Sequence, residues 1–208
     1  MGLRNESLEI GCLCDSELEE SYAIKVQYLD NSPRDSWVAM RAKHPDLFVA
    51  CRRQEEIIGI CYGWPANKQQ YEHGTIVLQG IAVAEEFSGN GYGSRLLHFF
   101  EHQVERTRGQ TVTVASAGGY VDHFYMKNGY EPVAFMICVP AASWCPLDLR
   151  TKHHVTADRV DGDMRRLYVD VSDLDNTQRD RLMADFQALE VLAIMEKELA
   201  SASRELPQ

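Results

Sequence analysis

The stretch Leu78–Leu97, LQGIAVAEEFSGNGYGSRLL, limits what this chain can fold into more than any other. Ile76 to Val83 is an apolar, β-branched run of the kind that makes a buried strand. After a short loop, Gly89, Gly91 and Gly93 alternate with Asn90 and Tyr92, and Ser94 to Arg108 then reads as a helix stopped by Gly109. Strand, glycine loop and helix together aim several backbone N–H groups from one helix N-terminus, where free donors and the macrodipole both favour phosphate. Glycine suits the loop because a Cβ would obstruct positive-φ turns and hold an anion off the backbone.

Two common phosphate loops do not match. A dinucleotide fingerprint G-x-G-x-x-G fails in register: counted from Gly89 the third position is Ser94, and from Gly91 it is Leu96. The following strand, TVTVASAGG, has no acid at its end to hold a ribose, and the Gly-Lys-Ser/Thr of a Walker A loop is absent.

The loop resembles motif A of the GNAT superfamily of N-acetyltransferases, Q/R-x-x-G-x-G/A, with Ser88-Gly89-Asn90-Gly91-Tyr92-Gly93 on the pattern. Downstream, Phe124-Tyr125-Met126-Lys127-Asn128-Gly129-Tyr130 resembles motif B, F-Y-x-K-x-G-F/Y, with the strand Thr111 to Ala115 between the two. The resemblance covers roughly residues 5 to 140. It implies an α/β (α+β) acyl-CoA N-acyltransferase fold: a mixed, mostly antiparallel sheet splayed at a cofactor cleft, with helices on both faces. It also implies acetyl-CoA as the acyl donor and an amine as the acceptor. The pyrophosphate would lie on the backbone of Ser88, Gly89, Asn90, Gly91, Tyr92, Gly93 and Ser94, and the pantetheine amides would pair with Ile81, Ala82 and Val83. Tyr125 would give a proton to the departing thiolate, a phenol staying protonated at neutral pH. Direct attack in a ternary complex is expected, since no cysteine lies in either motif.

Two positions depart from the pattern. Ser88 stands where relatives carry Gln or Arg, and Gly118 lies about where many carry an Asn that contacts the cofactor. No general base is identified: Gln79 and Val77 occupy the strand positions where relatives place Glu, and neither can take a proton. Glu72, His73 and His123 are the other candidates, each more readily read as a solvated loop residue, and none is taken as the base. A GNAT fold that binds acyl-CoA as a sensor, without transfer, is the alternative that these departures raise. A third reading comes from His98-Phe99-Phe100-Glu101-His102, which spells H-x-x-E-H, an inverted zincin signature. The apolar face of that helix centres on Leu97, Phe100 and Val104, so both histidines are expected in solvent and no metal site is expected.

Around these motifs, Leu8, Ile10 and Cys12 alternate as a first strand, and Ser16-Glu17-Leu18-Glu19 reads as a capping box opening a helix through Leu29. Asp30-Asn31-Ser32-Pro33 breaks it, with Ser32 and Pro33 as N-cap and first residue of a second helix that ends at Pro45. In the family these helices form a lid over the acceptor. Leu47 to Arg52 and Ile57 to Tyr62 read as a hairpin, Asn67 to Gly74 as a polar loop, Val121 to Asn128 as a helix closed by Gly129, and Tyr130 to Val139 as a strand. Three segments follow for domain organisation: a catalytic domain over 1–140, a long loop over 141–163, and an extension over 164–208. The extension is a strand (Arg166 to Val171) and a helix from Asn176 to about Ser201. That helix's stripe of Leu182, Phe186, Leu189, Leu192, Met195 and Leu199 packs on its own domain or makes a homodimer.

A net charge of −10 with no Lys/Arg stripe argues against nucleic acid as a partner. No apolar run is long enough to span a bilayer, and MGLRNESLEI lacks the features of a secretory signal. The six cysteines then read as small core residues in a reducing cytoplasm.

Overall fold

The computed structural model describes residues 8–66, 74–143, 145–171 and 176–199. The chain separates into two compact units, Met1–Val112 with Glu198–Gln208, and Thr113–Lys197. The expected polar loop before Gly74, with the candidate bases Glu72 and His73, lies outside the described residues.

The first unit is built on β1 (Leu8–Cys12), β2 (Phe48–Arg53), β3 (Glu56–Pro65) and β4 (Thr75–Val83), ordered β1-β2-β3-β4 with every pair antiparallel. The β2–β3 turn has positive φ at both central residues, Gln54 and Glu55, as a type I′ two-residue hairpin turn requires. Alternation along β2 then divides the unit's core into two faces. Phe48 and Ala50 join Ile60, Tyr62 and Ala82 beneath Ile24 of α1 (Leu18–Tyr28) and Trp37 of α2 (Arg34–Lys43). Trp37 meets Phe48 and Tyr62 edge-on at ring separations of 5.4 and 5.8 Å, the arrangement the ring quadrupoles favour. Val49 and Cys51 are buried on the opposite face, which α3 (Tyr92–Arg106) covers with Phe100.

Local chemistry fixes how α1 and α2 begin. Glu17 accepts from the N–H of Cys14 at 2.8 Å, so the cap forms two residues upstream of the expected Ser16–Glu19 box. Arg52 holds the same carboxylate, with Nη2 to Oε2 at 2.6 Å, and pins the β1–α1 connection to the sheet. The second helix starts at Arg34, with Pro33 just outside it. Between the helices, the fully buried Lys25 donates to the Asp30 carbonyl at 2.8 Å and to Asp30 Oδ1 at 2.7 Å. Ser32 N–H and the Tyr62 hydroxyl also donate to that carboxylate, so the join is hydrogen-bonded to the sheet.

The chain passes into the second unit along β5 (Thr111–Ser116). There α4 (Tyr120–Lys127), β6 (Glu131–Pro140), α5 (Leu147–Lys152), β7 (Val155–Asp161), β8 (Met164–Asp170), α6 (Asn176–Phe186) and β9 (Glu190–Glu198) follow. The strand order is β5-β9-β6-β8-β7, with β6 antiparallel to both β9 and β8. Antiparallel pairs and helices around them match the α/β (α+β) class expected.

Two expectations fail here. Residues 141–163 are not one long loop, because they contain α5 and the strand β7. β7 pairs with β8 through the two-residue turn Gly162-Asp163, a hairpin signal that outweighs the scattered charge around it. The helix expected from Asn176 to Ser201 ends at Phe186, and Gln187 adopts positive φ. Leu189, Leu192 and Met195 carry a helical spacing, but Val191, Ala193 and Met195 also alternate, and the alternating set is the buried one. Pairing with β6 decides between the two periods, overriding propensity as tertiary contacts do. The stripe offered for a homodimer is therefore split, with Leu182 and Phe186 on α6 and Leu192 and Met195 on β9.

Candidate functional site

The glycine loop lies in the first unit. β4 ends at Val83, a 3-10 turn spans Glu85–Phe87, and α3 begins at Tyr92. Gly89 and Gly91 both have φ of +77°, and a Cβ built on either meets nothing within 4 Å. The conformation, not crowding, is what favours glycine, and the space over the loop is open. Asn90 turns its amide back, donating to the Phe87 and Ser88 carbonyls at 3.0 and 3.2 Å, so it braces the loop from within. Among the described residues, no backbone carbonyl accepts from the N–H groups of Gly89, Asn90, Gly91, Tyr92, Gly93 or Ser94. Six unclaimed donors thus lie in the loop and first turn of a fifteen-residue helix, where a doubly charged pyrophosphate would be favoured. Arg53 lies over the Phe87 ring at 5.3 Å and adds positive charge at the loop's base. Sequence reasoning missed Arg53, since its place depends on the β2–β3 hairpin rather than on any local motif.

Upstream on β4, Ile81 and Val83 are half-buried and Ala82 is buried, paired with Cys61, Gly59 and Ile60 of β3 respectively. Gly80 lies opposite Tyr62 and Leu78 opposite Gly63, so Gln79 is the extra residue of a β-bulge and its side chain is exposed. Val77, by contrast, keeps a regular partner in Trp64. Across the β3 face, burial and Asp30 together push the Tyr62 hydroxyl far above the ordinary phenol range. Burial also pushes the Cys51 and Cys61 thiols upward, whereas Cys12 and Cys14 are exposed rather than core residues.

The motif B residues lie in the second unit on α4. Tyr125 is 4% exposed and packs edge-on against Tyr130 at 5.4 Å and Phe124 at 5.2 Å. Gly129 adopts positive φ after the helix, and Tyr130 N–H returns to the Tyr125 carbonyl at 3.1 Å, the termination expected from Asn-Gly-Tyr. His123 is exposed on the same helix. At the helix start, Asp122 is buried between Ser116 and Arg179, a contact across 57 residues that nothing local announces.

The H-x-x-E-H histidines take the positions expected of them. His98 and His102 are exposed on α3, His102 pairs with Glu105 at 3.2 Å, and Glu101 is buried with Phe100. Among the described residues, no helix is long and apolar enough to cross a membrane.

Residues 43–132 match a family model described as Acetyltransferase (GNAT) domain. No curated protein sequence matches the chain. Among solved structures, Ard1 from Thermoplasma volcanium is 15% identical with a TM-score of 0.54, covering 80% of this chain and 99% of its own. Naa50 from Arabidopsis thaliana, solved with the bisubstrate analogue CoA-Ac-MVNAL, is 12% identical with a TM-score of 0.53, over 79% and 99%. YhbS from Escherichia coli, in complex with CoA, is 13% identical with a TM-score of 0.55, over 81% and 84%. At these identities the likeness is one of fold. Residues 43–132 thus match the GNAT acetyltransferase domain, and the fold is that of the GNAT acetyltransferase structures.

Proposed function

We propose that this protein is an N-acetyltransferase that moves the acetyl group of acetyl-CoA to an amine by direct attack. The observation that carries the reading is the open cradle of unclaimed N–H groups from Gly89 to Ser94, set by two positive-φ glycines at the start of α3. Those amides, with Ser88 beside them, would hold the pyrophosphate of the coenzyme, and the β4 backbone at Ile81, Ala82 and Val83 would align its pantetheine. Bound there, acetyl-CoA supplies a thioester-activated acetyl group. Tyr125 would donate its phenolic proton toward sulfur as the thiolate leaves. The acceptor amine must be neutral when it attacks, and with Gln79 exposed at the bulge the proton would pass to water. We place the activity in the cytoplasm, where free thiols stay reduced.

Peptide amino termini form the first arm of an acceptor panel, because the Naa50 analogue joins CoA to a peptide; small amines form the second. Thiol release is the readout. Turnover with any arm supports transfer, and Tyr125→Phe should then lower kcat by roughly 100-fold, near the lower end for a general acid because a thiolate leaves easily. A second reading, acyl-CoA binding without transfer, is favoured by the burial of Tyr125 and by the amide at position 79. Tight coenzyme binding with no thiol release across the panel selects it.

A further inference from the structure

Arg179, delivered by α6, occupies space that the β5–α4 turn leaves for it. A Cβ built at Gly118 would fall 1.7 Å from Arg179 Nη1 and 2.9 Å from Cζ, so the guanidinium stands where a side chain at position 118 would be. Gly118 itself has φ of +107°, a backbone conformation that glycine alone adopts readily. From there Arg179 Nη2 donates to Asp122 Oδ2 at 3.0 Å, in the first turn of α4. The other carboxylate oxygen accepts from Ser116 Oγ at 2.5 Å, at the last residue of β5. The guanidinium also lies over the ring of Phe135 on β6 at 5.6 Å.

One side chain thus meets the turn at Gly118, the helix after it at Asp122 and β6 at Phe135, and reaches the end of β5 only through Asp122 and Ser116. The ion pair is nearly inaccessible, at 11% and 10% exposure. Such a pair contributes little net stability over an apolar replacement, since desolvating both charges offsets their attraction. What it supplies is direction, because the planar guanidinium is held at once by Asp122, by the space over Gly118 and by the Phe135 ring.

We propose that Arg179 is a positioning residue: it sets the β5–α4 turn and thereby the orientation of α4, the helix that carries Tyr125. The catalytic consequence rests on the acetyltransferase reading above; the clamp itself does not. Gly118 is the complement of the arginine, and any larger residue there would expel the guanidinium.

The test compares wild type with Arg179→Met, Arg179→Lys and Asp122→Asn, reading amide hydrogen exchange over Tyr120–Lys127 together with kcat and KM for acetyl-CoA. The methionine variant keeps most of the volume and loses the fork. Asp122→Asn keeps the shape and weakens the pair, so it serves if the methionine variant does not fold. Expected are α4 exchange faster by about tenfold, kcat lower by roughly 10- to 100-fold and KM for acetyl-CoA within about twofold. Arg179→Lys should recover part of kcat. Unchanged exchange and kcat in a folded variant would overturn the proposal. So would faster exchange with kcat intact, which makes the pair structural only, or a raised KM with kcat intact, which makes Arg179 a binding contact. Should wild type show no turnover with any amine, the transferase reading fails, and the exchange arm alone decides the clamp.

Discussion

Asp30→Asn isolates the chemistry of the helix join over the first unit's sheet. Lys25 is 1% exposed and its ammonium faces Asp30, whose side chain is 49% exposed. Burial pushes the Asp30 carboxyl up, but hydrogen bonds from Lys25 and Ser32 outweigh it and hold the group at about 2, against an ordinary 3.8. A shift of that size is worth about 2.5 kcal/mol unscreened, and water on a half-exposed carboxylate reduces it to roughly 1 kcal/mol. Asn removes the countercharge as well, leaving a buried ammonium with neutral acceptors. Breaking a buried pair from one side costs roughly 3–5 kcal/mol; the remaining Asp30 carbonyl contact and the nearby solvent bring this case down to about 2 kcal/mol. For a chain of this length that lowers Tm by about 4–8 °C at neutral pH. The sign with pH follows from a depressed acid: the stabilisation is present above about pH 4 and is lost as pH falls toward 2. Thermal melts of wild type and variant should therefore converge over that range, and Lys25→Met combined with Asp30→Asn should lose less than Asp30→Asn alone. A neutral-pH difference below about 0.5 kcal/mol, or a gap that persists unchanged near pH 2, would refute the argument.

Two further outcomes test other parts of the fold. Glu17 is held at about 2 chiefly by Arg52, against an ordinary 4.5, so Glu17→Gln should cost roughly 2–3 kcal/mol at neutral pH. The deficit closes as pH falls from about 4.5 to 2, read by the same melts. In the second unit, Leu189→Gln should change stability by less than about 0.5 kcal/mol, whereas Val191→Ala should cost roughly 2 kcal/mol. A helix through these residues would give the reverse ranking.

The elements that were legible in the sequence are those whose signals are local. The glycine loop, the strand before it and the helix after it are written contiguously, and Gly129 ends the motif B helix within one turn of Tyr125. What was not legible depends on partners distant in sequence. Residues 188–195 satisfy both a helical and an alternating spacing, and only the open edge of β6 selects the strand. The Gln79 bulge arises from how β3 meets β4, and Arg179 reaches Gly118 and Asp122 across a separation no spacing rule encodes. The hairpin turn Gly162-Asp163 was a local signal, obscured by reading the charges around it as loop.

Calorimetric titration with acetyl-CoA of wild type and Gly91→Glu tests the central claim most directly. The Gly91 Cβ faces open space, so the substitution costs about 1–2 kcal/mol of left-handed backbone strain and leaves the fold intact. It also sets a carboxylate beside the six N–H groups proposed to hold the pyrophosphate. Micromolar binding by wild type, abolished in a folded Gly91→Glu, is the predicted result. No binding by wild type, or equal binding by the variant, would contradict it.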